Sequence, residues 1–389
     1  MTRPILLITF LIVLISHVEA KQADYSALIN GTLTGDAAEE ASKDFYRDFK
    51  QYRSEKRRYR PLYELYVDKI GVKEISKVLE ADSASCHAVG HALGAIVGKR
   101  VSDLNTGMKI CASTCTYGCL HGVFKVYFNN LGKAYHEHSD HGGEHHSHDK
   151  ATNKQVVFTK AELNKFSHDV NVACSKSDSV VDGFFQGNCA HGVGHAMAKL
   201  AQSVALANSY CRVFPQVDMQ YYCETGVFME LAGKIKNDLF SKSYKRSEKV
   251  KMGLAYCGKE SNYPSACLRF ILPGNRSLGQ ITRYAFICER QEDYLKSHCF
   301  NALGYHSRTY IAKNPAEFLY ACSRGNAESQ ASCISGVTLM KKGQKYRSAI
   351  KNACSLLESK AQQVLCEKQS DSYYYQLNND YFSSLMKPT

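Results

Sequence analysis

Past its first twenty residues, the 389-residue chain has no apolar stretch near the ~20 residues that a membrane-spanning helix needs. The mature chain is therefore expected to carry no transmembrane segment. Strand signals are poor throughout, which points away from β architectures. Several catalytic signatures are missing as well. There is no nucleotide-binding loop, no G-x-S-x-G elbow, no H-E-x-x-H helix and no C-x-x-C-H haem attachment. "CTYGCLH" misses the haem pattern by one residue between its cysteines and one before its histidine. There is no tryptophan.

What is present begins with an export signal. Arg3 gives a basic start, residues 5–16 are almost wholly apolar, and Val18-Glu19-Ala20 offers small residues for cleavage. Residues 1–20 are thus expected to be a signal peptide, with the mature chain secreted or periplasmic. Sixteen cysteines, an even number, read as disulfides in such a compartment. Sequons stand at Asn30 and Asn275. Removing the signal takes away Arg3 and Glu19 together, so the net charge stays at +12. Basic runs at 53–60 ("RSEKRRYR") and 242–251 ("KSYKRSEKVK"), together with twenty-five tyrosines, could meet a protein or an acidic glycan. Nucleic acid is not an expected partner of an exported chain.

Cysteine marks a repeat. "CLHGVFKVY" from Cys119, "CAHGVGHAM" from Cys189, "CETGVFMEL" from Cys223, "CFNALGYHS" from Cys299 and "CISGVTLMK" from Cys333 align, and "CHAVGHAL" from Cys86 joins them shifted by one. Cys86 to Cys119 spans 33 residues, and Cys189 to Cys223 and Cys299 to Cys333 span 34 each, the length of one helical hairpin of a repeat protein. A second cysteine precedes most of these at a near-constant gap. The spacing pairs Cys174 with Cys189, Cys211 with Cys223, Cys257 with Cys267, Cys288 with Cys299, Cys322 with Cys333, and Cys354 with Cys366. Around Cys322, "NPAEFLYACSR" reads as a helix with Pro315 in its first turn, "GN" as a turn and "AESQASCISGVTLMKK" as the return helix. A disulfide there staples the hairpin and contributes on the order of 3 kcal/mol. Cys86, Cys111, Cys115 and Cys119 have no assigned pairing. The last three, spaced along one helix face, could instead serve as thiolate ligands.

The expected fold is all-α: a disulfide-stapled array of helical hairpins, an α/α solenoid or alternatively a closed α/α toroid. The repeat domain is placed at 61–367. A polar helical lead-in covers 21–60, a His-rich loop is inserted at 135–152, and a tail covers 368–389. The cysteine rhythm resembles that of secreted cysteine-stapled helical repeat proteins of the tetratricopeptide-like kind. That resemblance implies architecture and no activity. The chain is also similar to exported bacterial proteins carrying C-x-H-G and H-x-x-G-H phrases, which imply no function either.

The histidines carry the functional reading. "HAVGHALG" (87–94) and "HGVGHAMA" (191–198) agree at five of eight positions. Residues four apart share a helix face, so His87 with His91, and His191 with His195, can each grip one ion. His121 aligns with His87 and His191. On successive return helices these five side chains should meet. The aligned positions in later units are Thr225, Asn301 and Ser335, so the repeat does not need histidine for packing. Glu230 and His306 are possible outer contributors. His136, His138, His141, His145, His146 and His148 form a second, loop-borne cluster suited to Zn²⁺, Cu²⁺ or Ni²⁺.

These observations predict an exported metal-binding protein that holds Zn or Cu on helical H-x-x-x-H pairs, with the His-rich loop collecting metal. One alternative is a metal-dependent enzyme. The paired histidines with a third partner resemble, in ligand type only, a coupled dicopper oxygen site, and a zinc hydrolase could draw a base from Glu224 or Glu230. The other alternative is a binding scaffold for protein or glycan.

Overall fold

The computed structural model describes residues 24–370, other than 56, 83–85, 102, 112–113, 116, 140–156, 176–184, 242, 312, 339–343 and 358–359. Among the described residues the regular elements are all helical, and none is long and apolar enough to cross a membrane. The signal peptide expected at residues 1–20 lies outside the described residues. The chain divides into two compact units, one ending at Cys86 and one beginning at His87.

The first unit contains α1 (Ser26–Asn30), α2 (Gly35–Ser54) and α3 (Arg60–Asp82). Phe45 and Phe49 of α2 are buried against Tyr59, Tyr63 and Tyr66, with ring centroids 5.3–6.1 Å apart. Within the expected lead-in, α2 thus buries its apolar stripe on α3. Gly31 and Gly71 meet at backbone contact, both with positive φ (80° and 74°), a conformation that glycine alone adopts cheaply. Part of the basic run at 53–60 is spent internally. Arg53 and Lys50 hold the buried carboxylate of Asp82 at 2.6 and 2.5 Å, and Arg60 pairs with Glu64 at 2.8 Å.

The second unit is a series of hairpins. Its helices are α4 (His87–Arg100), α5 (Leu104–Cys111), α6 (Gly118–Ser139), α7 (Lys160–Cys174), α8 (Phe185–Ala201), α9 (Val204–Tyr210), α10 (Val217–Leu239), α11 (Arg246–Glu260), α12 (Pro264–Ile271), α13 (Leu278–Glu289), α14 (Asp293–Ile311), α15 (Pro315–Cys322), α16 (Ala327–Thr338), α17 (Gln344–Cys354) and α18 (Lys360–Ser370). The even-numbered helices form one row, each packed on the next from α4 to α18. The odd-numbered helices from α11 to α17 pack in the same order alongside. Short units with one apolar face each bury that face on a neighbour, which is how repeat proteins build a continuous core.

Disulfides tie the two rows together. Cys111–Cys119, Cys174–Cys189, Cys211–Cys223, Cys257–Cys267, Cys288–Cys299, Cys322–Cys333 and Cys354–Cys366 each join an odd helix, or the turn that follows it, to its return helix. The six pairs expected from spacing are all formed. Cys86 and Cys115 are disulfide-bonded as well, and no cysteine is free. A thiolate metal site at Cys111, Cys115 and Cys119 is thereby ruled out. Disulfides at this density belong to an oxidising environment.

Glycine sets how closely the return helices cross. A Cβ on Gly194 would lie 1.9 Å from the carbonyl oxygen of Cys223, and one on Gly226 2.0 Å from that of His191. Gly304 and Gly336 repeat the arrangement against Cys333 and Asn301, at 1.9 and 2.0 Å. The repeated glycines are thus points where two backbones touch, so side chains from different helices are brought within ligand distance.

Three further expectations shift. Tyr63, Tyr66, Tyr117, Tyr210, Tyr221, Tyr222, Tyr263 and Tyr284 are core residues, so these eight of the twenty-five tyrosines serve packing and not surface display. Asn275 is buried and its amide donates to Ser307 Oγ at 3.1 Å, so this sequon is closed to a glycan; Asn30 is exposed. Finally, α6 runs on to Ser139, so His136 and His138 are helical and the inserted loop begins later than 135. His141, His145, His146 and His148 lie outside the described residues.

Candidate functional site

Three neighbouring helices of the even row carry the candidate site. His87 and His91 occupy the first turns of α4, His121 the first turn of α6, and His191 and His195 the middle of α8. On α4 and on α8 the i,i+4 spacing places the two rings on one face. The Nε2 atoms of His87 and His91 stand 3.3 Å apart, and those of His191 and His195 stand 3.2 Å apart. Across helices, ring centroids lie 4.9 Å apart for His87 and His121, 5.2 Å for His91 and His195, and 5.1 Å for His121 and His191. Imidazole nitrogens from His87, His91, His121 and His195 all fall within 4.8 Å of one another. His191 adjoins this group through His195 and His121.

Space for the rings comes from glycine. A Cβ on Gly192 would lie 2.7 Å from the His121 ring, so Gly192 provides the room in which that imidazole sits against α8. A Cβ on Gly94 would lie 1.7 Å from the carbonyl oxygen of Cys119, so α4 reaches α6 closely enough for His87 and His121 to touch. Gly90 likewise backs onto Cys115 and Cys119, with nearest atoms at 2.9 and 3.1 Å.

The outer edges of three rings are fixed by hydrogen bonds that select tautomers. His195 Nδ1–H donates to Glu230 Oε2 at 3.0 Å, leaving the Nε2 lone pair toward His191. The Thr225 hydroxyl donates to the Tyr222 carbonyl at 2.5 Å, so it accepts from His191 Nδ1–H at 2.7 Å, and His191 Nε2 also carries a lone pair. His121 Nε2–H donates to the Asn188 carbonyl at 3.1 Å, and its Nδ1 is buried with no hydrogen-bond partner. The arrangement follows a general rule of metal sites, in which the distal nitrogen of a ligand histidine is held by a carboxylate or carbonyl.

Electrostatics keep three of the rings neutral. Burial, then the neighbouring imidazoles, hold His121 and His191 well below the usual histidine range, and the same causes pull His91 down to about 2. Neutral imidazole is the ligating form. Burial alone would raise Glu230, but the His195 hydrogen bond and nearby Lys125 and Lys199 override it and hold the carboxylate at about 2. Lys199, desolvated and beside Lys125, falls to about 8. His121, His191 and His195 are buried, whereas His87 and His91 are half-buried and form the solvent side.

Other candidates lie elsewhere. His306 is buried with Nε2 on the Leu268 carbonyl at 3.0 Å and takes no part in the cluster. Its register places it further along the row, on α14. Glu224 does not face the imidazoles either. It is buried between Ser261, whose hydroxyl donates to Oε2, and Asn262, and burial raises its pKa to about 7. Of the two glutamates considered as bases, only Glu230 touches the site. Asn188 and Thr225 carry no motif of their own. The repeat does point to Thr225 and Glu230, which stand 34 and 35 residues after His191 and His195, one unit along the row. No family model, curated protein or solved structure matches the chain.

Proposed function

We propose that this protein binds a late first-row transition ion, Zn²⁺ or Cu²⁺, on the five-histidine cluster, and that it does so after export to an oxidising compartment. The observation that carries the reading is the pair of facing Nε2 atoms on His191 and His195, 3.2 Å apart with both Nδ1 positions committed outward. Two lone pairs aimed at each other repel unless a cation lies between them. Tetrahedral zinc with Zn–N bonds of ~2.0–2.1 Å sets its ligand nitrogens about 3.3 Å apart. Both H-x-x-x-H pairs have this spacing.

Holding the ion is favoured over catalysis by the ligand count. His87, His91, His121 and His195 supply a full tetrahedral set, whereas a hydrolytic zinc keeps one position open. His191 can enter as a fifth ligand or exchange with His195. Residues 140–150, which hold four further histidines, would raise the local metal concentration beside α6.

Elemental analysis of the disulfide-intact protein tests the reading. Reconstituted wild-type protein should retain stoichiometric metal after desalting, as should a variant lacking residues 140–150. His91→Gln and His195→Gln should lose it while keeping helical circular dichroism. Saturation at ~100 times Kd should stabilise the chain by about 3 kcal/mol, lost on adding chelator. Loss of all metal on deleting 140–150, with the helical variants unaffected, overturns the reading.

A further inference from the structure

A second candidate site, independent of the histidines, lies between α11 and α13. A cavity of 330 Å³ opens there over Val250 and Ile287. Its polar lining is rich in donors. Arg246 and Arg283 flank it, and no carboxylate lines it among the described residues. Arg246 is oriented through Nη1, which donates to the carbonyls of Pro273 and Gly274 at 3.1 and 2.6 Å. Burial, and then Arg276 close by, lower its pKa.

The start of α13 faces the same space. Ser277 is its N-cap but makes no side-chain cap bond, and the first turn holds no acidic residue. The Leu278 amide is directed at the Tyr310 hydroxyl and the Gln280 amide at the Ser277 carbonyl (3.1 Å), which leaves the Gly279 amide and the positive end of the helix dipole for an anion. Gly279 in that turn has open space beside it, since a Cβ there would meet nothing within 4 Å. A second feature points to a ligand independently. Tyr284 lines the cavity, is only 2% exposed, and its hydroxyl is buried with no hydrogen-bond partner. A buried hydroxyl left unmatched costs ~1–3 kcal/mol, which a ligand oxygen would remove.

We propose that this cavity binds a small organic ester of phosphate or sulfate, its oxyanion on the N-terminus of α13 between Arg246 and Arg283 and its apolar body over Val250 and Ile287. Chemistry common to both esters is a tetrahedral anion with several acceptor oxygens, matched to guanidinium forks and backbone amides. Phenyl phosphate and phenyl sulfate are the probes, titrated calorimetrically into the full chain with chelator present, so that the histidine cluster cannot contribute. One equivalent of either probe should bind, and whichever binds more tightly identifies the ester class. Arg283→Ala should weaken binding by about tenfold or more and Tyr284→Phe by about threefold, the range for losing a charged and a neutral hydrogen bond. Gly279→Ala is the decisive variant. It meets no steric conflict in the free protein and should leave thermal stability unchanged or raised, yet lower affinity by about tenfold by blocking approach to the helix end. Absence of heat with both probes overturns the proposal. So does undiminished binding in Gly279→Ala and Arg283→Ala, which would place the anion elsewhere on this basic chain.

Discussion

The two halves of the hairpin row share a scaffold and differ in what they bury at its seam. Between α8 and α10, glycines 194 and 226 let backbones touch; between α14 and α16, glycines 304 and 336 do the same at matching distances. Disulfides staple both halves at equivalent positions. At the early end, α8 also meets α4 and α6, and five imidazoles from these three helices face one another. At the later seam the aligned Asn301 donates across to the Ser332 carbonyl of α16 at 3.1 Å and accepts from Arg269 of α12 at 3.4 Å. The fold therefore closes without histidine. Burying His121, His191 and His195 is a cost that the packing does not require, and under the proposed function coordination of an ion would offset it.

The comparison can be broken most sharply with acid. His121 and His191 are kept neutral by burial, so the unfolded chain takes up two protons that the folded chain refuses once the pH falls below 6.5. These depressed pKa values give stability that is complete above 6.5 and lost as pH falls. Linkage for two protons approaches about 3 kcal/mol per pH unit, and amounts to about 3 kcal/mol between pH 6.5 and 5. Urea titrations of the metal-free protein should show it, and His121→Asn should reduce the slope. A flat profile would mean the rings are not held neutral.

Glu224, on the helix that follows the histidine seam, works in the opposite direction. Its raised pKa of about 7 means the folded chain holds a proton that the unfolded chain releases above 4.5. That stability is complete below 4.5 and lost as pH rises through about 7, at a cost of about 3 kcal/mol by pH 8. Glu224→Gln should remove this alkaline loss and leave the acid loss untouched. If both limbs move together, the two effects are not separable as described.

Smaller in energy, but sharper in logic, is a matched pair of glycine substitutions. Gly194→Ala and Gly304→Ala each force a Cβ against a carbonyl oxygen at 1.9 Å and should destabilise by a similar ~2 kcal/mol, measured by thermal melts. Only Gly194→Ala should also lower metal retention, because it separates α8 from α10 and thus His191 and His195 from Thr225 and Glu230. Equal metal loss in both would make the halves functionally alike.

Legibility in the sequence differed by feature. Cysteine spacing was sufficient for six bridges, because a hairpin of fixed length brings fixed positions together. Registering His121 with His87 and His191 was sufficient to foresee the convergence of the rings. The outer bonds to Asn188, Thr225 and Glu230 were only partly legible, since they depend on how far each helix is rotated. Counting missed three things that burial decides: Tyr284 and its neighbours as core, Asn275 as inaccessible, and His306 as a packed residue bonded to Leu268.

By itself the sequence determined the all-helical class, the repeat length, the disulfide register and the choice of histidine at three successive units. All of these follow from periodicity and spacing along one chain. Only the tertiary structure decided which nitrogen of His121, His191 and His195 faces inward, how close the pairs stand, and that a cavity flanked by Arg246 and Arg283 opens between α11 and α13. Those depend on contacts between residues some 30 to 70 positions apart, where a rotation of one helix by a few tens of degrees redirects every side chain it carries.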